Sequence, residues 1–296
     1  MTKQDSPRLF CFGLGYSAER LARMLLADDW AVAGTCQSEA RKAELQAMGV
    51  DAHLFDANRP LDDAGAVLSG ITHLLNSVPP GNDGDPVLQC HEGDIRRAGG
   101  LKWAGYLSST GVYGDCAGAK VDETSPVNPS SDRSRRRAEA EARWLALAHD
   151  HGVPVHIFRL AGIYGPGRSA LDQVRAGRAR RIEKPGHVFS RTHVDDIVRV
   201  LGASMEKPNP GGIYNVADDE PASAADVTQF ACELLDVESP PPVPFTDAAK
   251  EMSEIGLSFW RDNRLINNSR IKDELGVKLL YPDYREGLRA VKVEKG

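Results

Sequence analysis

The sequence of 296 residues predicts a doubly wound α/β fold built on a parallel sheet. Two observations lead to this prediction: short apolar runs that suit buried strands alternate with segments of helical periodicity, and the helical segments have the length of crossover connections. The run RLFCFG (8–13) begins the pattern, because the segment after it (16–28) places Ala18, Leu21 and Leu25 on one helical face. Right-handed βαβ units are the expected result.

The other elements follow in chain order. We predict further strands at 31–36, 51–55, 72–76, 103–108 and 153–160. We predict helices at 38–48, 132–150, 193–206, 222–236 and 283–293. Because Gly, Pro and Arg interrupt the alternation after about residue 165, the last three helices are interpreted as additions around the sheet.

Composition and charge exclude several classes of protein. The chain carries 36 Lys and Arg against 42 Asp and Glu, a formal net charge of −6, which argues against a general nucleic-acid or membrane-surface binder. It has no apolar run of about 18 residues, and its beginning lacks the apolar core of a signal peptide. The five cysteines are scattered without a C-x-x-C pair, so neither a disulfide framework nor a metal site is expected. We expect a cytoplasmic protein with reduced thiols.

A glycine motif lies between the first strand and the first helix, where a dinucleotide-binding turn belongs. Gly13 allows a tight turn, Gly15 lets the backbone approach a diphosphate, and Ala18 keeps the helix close to the strand. The helix N-terminus adds N–H groups and a positive dipole end. The alternative is an ordinary glycine-rich turn. The predicted diphosphate-binding residues are Gly13, Leu14, Gly15, Tyr16, Ser17 and Ala18.

The residues after the second strand bear on the choice of cofactor. An NAD site usually places an acidic residue there, whereas a basic residue suits the 2′-phosphate of NADP. Gln37 and Ser38 are not acidic, and Arg41 and Lys42 follow in the first helical turn. The pattern favours NADP over NAD. The alternative is that both cations belong to a solvated helix face.

Two further positions complete the predicted cofactor site. Asp56, at the end of the third strand, is a candidate acceptor for the adenine amino group, with a turn or capping role as the alternative. Ser77, directly after the fourth strand, is also predicted to contact the cofactor.

Motifs spread over the chain resemble those of the extended short-chain dehydrogenases/reductases, the NAD-dependent epimerase/dehydratase family. In order they are GLGYSA (13–18), LSSTGVYGD (107–115), FRLAGIYGPGR (158–168), RTHVDDI (191–197), IYNVADDEP (213–221), and NSRIKDELG (268–276) with YPDYREGL (281–288). The resemblance is closest to an atypical branch. It implies a Rossmann-type NAD(P)-binding domain over 1–165 and a smaller C-terminal substrate-binding lobe over 166–296, with the chain crossing between them.

The resemblance also assigns catalytic positions, and the chain departs from them. Family members transfer hydride with a Ser or Thr, a Tyr and a Lys. Ser109 matches the first, with Thr110 as its neighbour, and the register that fits Glu141 to a family glutamate puts Arg133 at the Tyr position and Arg137 at the Lys position. A guanidinium with a pKa above about 12 cannot relay a proton. Arg137 remains suited to donate to the nicotinamide ribose.

Other groups are candidates for the missing proton carrier. Tyr113 and Tyr164 follow the fifth and sixth strands, at the sheet edge where ligands bind in such folds. His193 stands beside two aspartates, which makes a titration near neutral pH plausible. The alternatives are that both tyrosines pack the turns and that His193 caps or packs the helix it precedes.

Positive charge is concentrated in two segments of this acidic chain. Residues 133–143 carry five arginines against two glutamates, and 168–184 carry six cations against two acids. Such arginines suit an anionic small-molecule substrate, with Arg168 and Arg191 as binding candidates, or else form solvated surface. No aromatic residue lies among them to stack bases, so RNA binding is not expected.

Two functions are therefore carried forward. The first is an NAD(P)-dependent enzyme with a modified catalytic set that acts on a small anionic or nucleotide-activated substrate. The alternative is a catalytically inert dinucleotide-binding regulator or docking module on the same fold. The resemblance also implies a homodimer formed through helices that flank the sheet.

Overall fold

The first half of the chain alternates strands and helices as the sequence predicts. The computed structural model describes residues 7–294. Its elements in this half are β1 (Arg8–Phe12), α1 (Tyr16–Ala27), β2 (Ala31–Cys36), α2 (Glu39–Ala47), β3 (Asp51–Leu54), α3 (Ala64–Val67), β4 (His73–Asn76), α4 (Pro86–Arg97), β5 (Trp103–Ser109), a 3₁₀ turn (Thr110–Tyr113), β6 (Lys120–Val121) and α5 (Asp132–His151).

The second half is less regular, with short strands between the helices. Its elements are β7 (Val155–Leu160), β8 (Gly162–Tyr164), α6 (Ala170–Arg175), β9 (Arg181–Glu183), β10 (Arg191–His193), α7 (Val194–Glu206), β11 (Ile213–Val216), α8 (Ala224–Leu235), β12 (Pro242–Pro244), α9 (Phe245–Ala248), a 3₁₀ turn (Ala249–Glu251), α10 (Glu254–Arg261), β13 (Leu265–Ile266), α11 (Ser269–Asp273) and α12 (Tyr284–Glu294). None of the helices in the described part of the chain is both long and apolar enough to cross a membrane.

Seven strands form one sheet in the order β11-β7-β5-β4-β1-β2-β3. The pairs that join β3, β2, β1, β4 and β5 are parallel, and Phe10 in β1 lies opposite Ala33 on one side and Leu74 on the other. This is the predicted Rossmann-type architecture. The six predicted strands are all present, and the seventh, β11, had been recognised only as part of a motif. Its four residues are too few to show a period in the sequence.

Helix α4 had no counterpart among the predicted helices. Pro86 occupies its first turn and Asp85 caps it, since the Asp85 carboxylate accepts from the backbone N–H groups of Val87 and Leu88 at 2.8 and 3.1 Å. The signal was present as Asp-Pro before an apolar pair. It was missed because Gly, Asn and Pro crowd the loop just before it.

The described residues divide into two compact units. Unit 1 comprises residues 7–108, 135–159 and 201–214, and unit 2 comprises 109–134, 160–200 and 215–294. The core of unit 1 lies on one face of the sheet's central strands, with Trp144 of α5 stacked on Tyr106 of β5 at a centroid distance of 5.8 Å. The core of unit 2 gathers Tyr164, Leu171 and Tyr284 with their apolar neighbours.

Short strand pairs accompany the helices of unit 2. The parallel pairs are β8 with β10, β9 with β12, and β6 with β13. These strands have two or three residues each, so the sequence carried no periodic signal for them. They fix the loops that bear several of the predicted site residues.

Candidate functional site

The turn after β1 has the geometry of a diphosphate-binding turn. Gly13 adopts a φ of +81°, and a Cβ there would lie 2.8 Å from Val78 Cγ2, so only glycine fits. Its N–H donates to Thr35 Oγ1 at 2.8 Å, and the N–H of Leu14 donates to the Thr35 carbonyl at 2.8 Å. These bonds fix the turn against β2.

Gly15 is the N-cap residue of α1 and stands in a different setting. A Cβ built on Gly15 would meet nothing within 4 Å, and Gly15 is exposed. Ser17 and Ala18 are buried behind it, whereas Tyr16 is half-buried. Because the first N–H groups of a helix lack intrahelical acceptors and carry positive partial charge, this open glycine edge fits a diphosphate.

The end of β2 is engaged in a network of charges. Ser38 caps α2 by accepting from the Arg41 N–H at 3.3 Å, and Gln37 is exposed. The Arg41 side chain pairs with Glu44 at 2.7 Å and also with Glu19 of α1. Arg41 is therefore neutralised by two carboxylates, a constraint that its position in the sequence did not reveal.

A second guanidinium lies at the same place. Arg59 donates from Nη2 to the Gln37 carbonyl at 2.8 Å and contacts Asp56 at 3.3 Å. Asp56 itself closes a tight turn, since its backbone exchanges hydrogen bonds with Arg59 and its carboxylate accepts from Asn58 N–H at 2.9 Å. Arg59 was not predicted as a site residue: 22 residues separate it from Gln37, and only the β2–β3 pairing joins them.

Ser77 follows β4 and donates its backbone N–H to the Phe12 carbonyl at 2.9 Å, beside the glycine turn. The preceding Asn76 is fully buried and donates to Asp85 at 3.0 Å. Asp85 also accepts from Trp144 Nε1 at 2.9 Å. Burial raises the pKa of Asp85, while the hydrogen bonds from Trp144 and from the backbone of Leu88 and Val87 oppose the rise. The network fixes the loop that carries Ser77 without using the Ser77 side chain.

In unit 1, Arg137 of α5 lies against β5. Its Nη1 donates to the Leu107 carbonyl at 2.8 Å and to Tyr106 Oη at 3.2 Å. One turn later, Glu141 is buried and paired with Arg159 at 2.8 Å, and Ser108 Oγ donates to the same carboxylate. In the sequence analysis, Glu141 served only to align Arg133 and Arg137 with the family positions. The structure adds its buried partners.

In unit 2, Ser109 and Thr110 begin the 3₁₀ turn that follows β5. Ser109 Oγ accepts from the Gly111 N–H at 3.1 Å, and Thr110 is buried. Tyr113 closes the turn, and its hydroxyl donates to Asn215 Oδ1 at 2.8 Å in the interior of the unit. Tyr113 thus has the packing role left open for it, with its phenol hydrogen-bonded to an amide.

Arg133, which the sequence register aligns with the family tyrosine, is turned toward an aromatic ring. Its guanidinium carbon lies 5.6 Å from the centroid of Phe259 in α10, and both side chains are exposed. Arg133 and Arg137 are one helical turn apart; Arg133 contacts Phe259 in unit 2, and Arg137 contacts β5 in unit 1. The chain therefore has neither a phenol nor an ammonium at these two positions.

Tyr164 and His193 lie together in unit 2. Their ring centroids are 5.1 Å apart, and Tyr281 packs on the other side of His193 at 4.2 Å. His193 Nδ1 accepts from the Asp195 N–H at 3.2 Å, which is the helix-capping role left open for it. Burial raises the pKa of Tyr164, and this shift opposes proton exchange by Tyr164 at neutral pH.

The two predicted substrate arginines differ in exposure. Arg191 lies in β10, and its Nη1 donates to the carbonyls of Phe189 and Ala222, both at 2.8 Å. Burial lowers the pKa of Arg191. Arg168 is exposed, and its backbone closes a turn with Gly165. Arg168 is thus the more accessible of the two.

Asp218 is a buried carboxyl that the sequence analysis did not single out. It is 3% exposed, and neither carboxyl oxygen has a hydrogen-bond partner among the described residues. Burial raises its pKa to about 8, against the opposing charge of Arg191. The run Asp-Asp-Glu around it carries no sequence signal of burial, because such runs usually lie at the surface.

Comparisons with known proteins agree with this architecture. Residues 94–217 match the model of the NAD dependent epimerase/dehydratase family. Protein YeeZ of Escherichia coli (strain K12) is 30% identical over 284 residues, covering 92% of this chain and 95% of that protein. A conserved protein of unknown function from Silicibacter pomeroyi DSS has a solved structure with 44% identity and a TM-score of 0.88, with coverage of 98% and 99%.

A more distant likeness shows the fold alone. The dTDP-glucose 4,6-dehydratase of Bacillus anthracis str. Ames, solved in complex with NAD, is 16% identical with a TM-score of 0.78, and the match covers 98% of this chain and 97% of that one.

Proposed function

Because this chain belongs to the NAD-dependent epimerase/dehydratase family, we propose that it binds NADP or NAD through unit 1 and acts on a small anionic or nucleotide-activated molecule. The observation that carries the proposal is the pair of glycines after β1. Gly13 is required by the turn itself, whereas Gly15 keeps an exposed helix N-terminus clear of side-chain atoms. A clear N-terminus suits a diphosphate and serves no packing purpose.

Replacing Gly15 by alanine tests the dinucleotide site. The new methyl group meets no protein atom, so we expect the free energy of unfolding to change by less than about 1 kcal/mol. We expect the affinity for NADPH, measured by quenching of its fluorescence, to fall at least about tenfold because the methyl group obstructs the diphosphate.

Gly65→Ala is the matched control. Gly65 is also exposed, and a Cβ there makes only an ordinary 3.6 Å contact, so this variant should keep the parental affinity. A parent protein that binds neither NADPH nor NADH contradicts the proposed function, and so does a stable Gly15→Ala variant with undiminished affinity.

The cofactor proposed in first place is NADP. Gln37 and Ser38, directly after β2 where NAD sites place an acidic residue, are not acidic, and Arg59 holds a guanidinium against the Gln37 carbonyl. Arg41, the cation that the sequence favoured, is paired with Glu19 and Glu44. We therefore assign the 2′-phosphate contact mainly to Arg59, assisted by Ser38.

Arg59→Ala separates the two cations. We expect it to weaken NADPH binding about tenfold and NADH binding less than twofold, since only NADPH carries the third phosphate. Arg41→Ala, the control, should reduce the NADPH affinity by a smaller factor. Titration of both variants with both nucleotides decides the matter, and equal losses for NADPH and NADH would exclude a 2′-phosphate role for Arg59.

The chain's own residues support a non-standard catalytic set. A bound nicotinamide accepts or returns a hydride. Arg137 supplies positive charge beside β5 and retains N–H groups for a ribose, in the manner of the family lysine. Ser109 keeps a hydroxyl proton for a substrate oxygen. We propose Arg168, with Arg191, for the anionic part of the substrate.

The sequence has arginine where the resemblance expects the catalytic Tyr and Lys, at Arg133 and Arg137. This also supports a second candidate function, an inert dinucleotide-binding regulator. Cofactor turnover with nucleotide sugars and small ketones distinguishes the two. We expect the unmodified protein to turn over the cofactor with at least one of these compounds, as an enzyme would. An inert parent whose Arg133→Tyr, Arg137→Lys double variant gains reductase activity would favour the regulator. The homodimer stays a prediction, which sedimentation analysis can test.

A further inference from the structure

We propose that Ser134, together with Ser109, forms a two-hydroxyl donor site for an acceptor oxygen of the substrate, a carbonyl or carboxylate oxygen. The inference rests on the proposed function and names what takes the place of the family tyrosine. Every residue in the argument belongs to unit 2.

Ser134 lies in the first turn of α5, directly after Arg133. Its backbone N–H donates to Ser131 Oγ at 3.2 Å, and Ser131 Oγ donates in turn to Ser134 Oγ at 3.0 Å. Because Ser134 Oγ accepts this bond, its own proton remains to be donated to another group. Ser131 thus polarises and orients the Ser134 hydroxyl.

Ser109 presents its hydroxyl in the same way. Ser109 Oγ accepts from the Gly111 N–H at 3.1 Å, so its proton also remains for a further acceptor. The two serines lie on different elements, at the end of β5 and at the start of α5. Each is oriented by a bond that it accepts.

Gly111 brings the two hydroxyls to one place. A Cβ at Gly111 would lie 3.0 Å from Ser134 Oγ and 3.4 Å from Ser109 Oγ. Gly111 is not among the glycines with positive φ, so glycine serves here for space and not for backbone freedom. An atom at that Cβ position therefore lies within about hydrogen-bonding range of both hydroxyl groups.

Two converging donors select the chemistry of the ligand. A carbonyl or carboxylate oxygen accepts two hydrogen bonds, and two fixed donors stabilise negative charge that develops on it. Serine is not among the side chains that titrate near neutral pH, so the pair binds and polarises the oxygen without exchanging its proton. Arg133 is directed to Phe259 instead.

The test measures binding of three probes to the NADPH-loaded protein by calorimetry: UDP-glucuronic acid, dTDP-glucose and pyruvate. We expect at least one acceptor-bearing probe to bind. Ser134→Ala should weaken that probe about tenfold, and Gly111→Ala should weaken it at least as much by filling the space between the hydroxyls. Ser134→Thr, which keeps the hydroxyl, should restore most of the affinity.

Ser239→Ala is the matched control, because Ser239 Oγ contacts the Pro240 carbonyl at 3.5 Å and the Cys232 thiol, and neither group belongs to the proposed donor site. The Ser134→Ala and Ser134→Thr variants should keep the parental NADPH affinity and melting temperature, which a merely structural role for Ser134 would not allow. A parent that fails to bind NADPH contradicts the proposed function. A parent that binds NADPH but none of the probes, or a Ser134→Ala variant with parental probe affinity, overturns the inference about the serine pair.

Discussion

Asp218 and Glu141 are both buried carboxyl groups, but their surroundings differ. Glu141 accepts from Arg159 and Ser108, and Asp218 accepts from no group among the described residues. Burying a carboxylate without donors is unfavourable, so Asp218 is held in its protonated form, with its pKa raised by burial to about 8. Glu141 therefore joins two elements, whereas Asp218 makes the free energy of unfolding depend on pH.

Asp218→Asn tests this dependence. Below the unfolded pKa of about 3.8, the carboxyl is protonated in both states and does not lower the free energy of unfolding. The free energy of unfolding then falls as the pH rises from about 3.8 to about 8, because only the unfolded state ionises readily over this range. The loss is on the order of 5 kcal/mol. We expect urea unfolding of Asp218→Asn to show a flatter profile between pH 4 and pH 8.

Asp219→Asn is the control for Asp218, because the adjacent Asp219 is paired with Lys272 and Asn268 at the surface. It should change the stability by less than about 1 kcal/mol at each pH. A parental slope in the Asp218→Asn variant would mean that Asp218 is ionised in the folded protein.

Helix α5 shows how one element combines structural and functional residues. Trp144 and Glu141 face the core of unit 1, Arg137 contacts β5, and Ser134 lies in the first turn of the helix, in unit 2. The Glu141–Arg159 pair, with both side chains 4% exposed, joins the helix to β7. It thereby fixes the axial position of Arg137 one turn away.

Breaking that pair should be costly. Glu141→Gln leaves the Arg159 charge buried without a counterion, and we expect a loss of about 3–5 kcal/mol in the free energy of unfolding measured in urea. Arg143→Ala on the same helix breaks the Arg143–Glu92 pair, whose side chains are 45% and 36% exposed, and should cost at most about 1 kcal/mol. Similar losses in both variants would contradict the buried role of Glu141.

At the scale of the whole molecule, the chain passes repeatedly between its two units. Within the described residues it changes unit near positions 108, 134, 159, 200 and 214. The sequence predicts one boundary at 165 and further crossings without stated positions, and this division into lobes stays a prediction. Both α5 and β11 contribute residues to each unit.

The sequence by itself determined the local elements and the glycine turn. Each predicted strand and helix of the sheet region is present within a few residues, because apolar periodicity and glycine geometry are encoded over a few neighbouring positions. The assignment of Arg133 and Arg137 to the family Tyr and Lys positions also came from the sequence and stays a prediction. The order β11-β7-β5-β4-β1-β2-β3 was not, since β11 gave no periodic signal of its own.

Only the tertiary structure decided which side chains meet. It placed Arg59 against Gln37, neutralised Arg41 with Glu19, set Ser134 beside Gly111 and buried Asp218. These contacts join residues far apart in the chain or depend on burial. Local propensity does not encode them, because they arise when strands pair and helices pack.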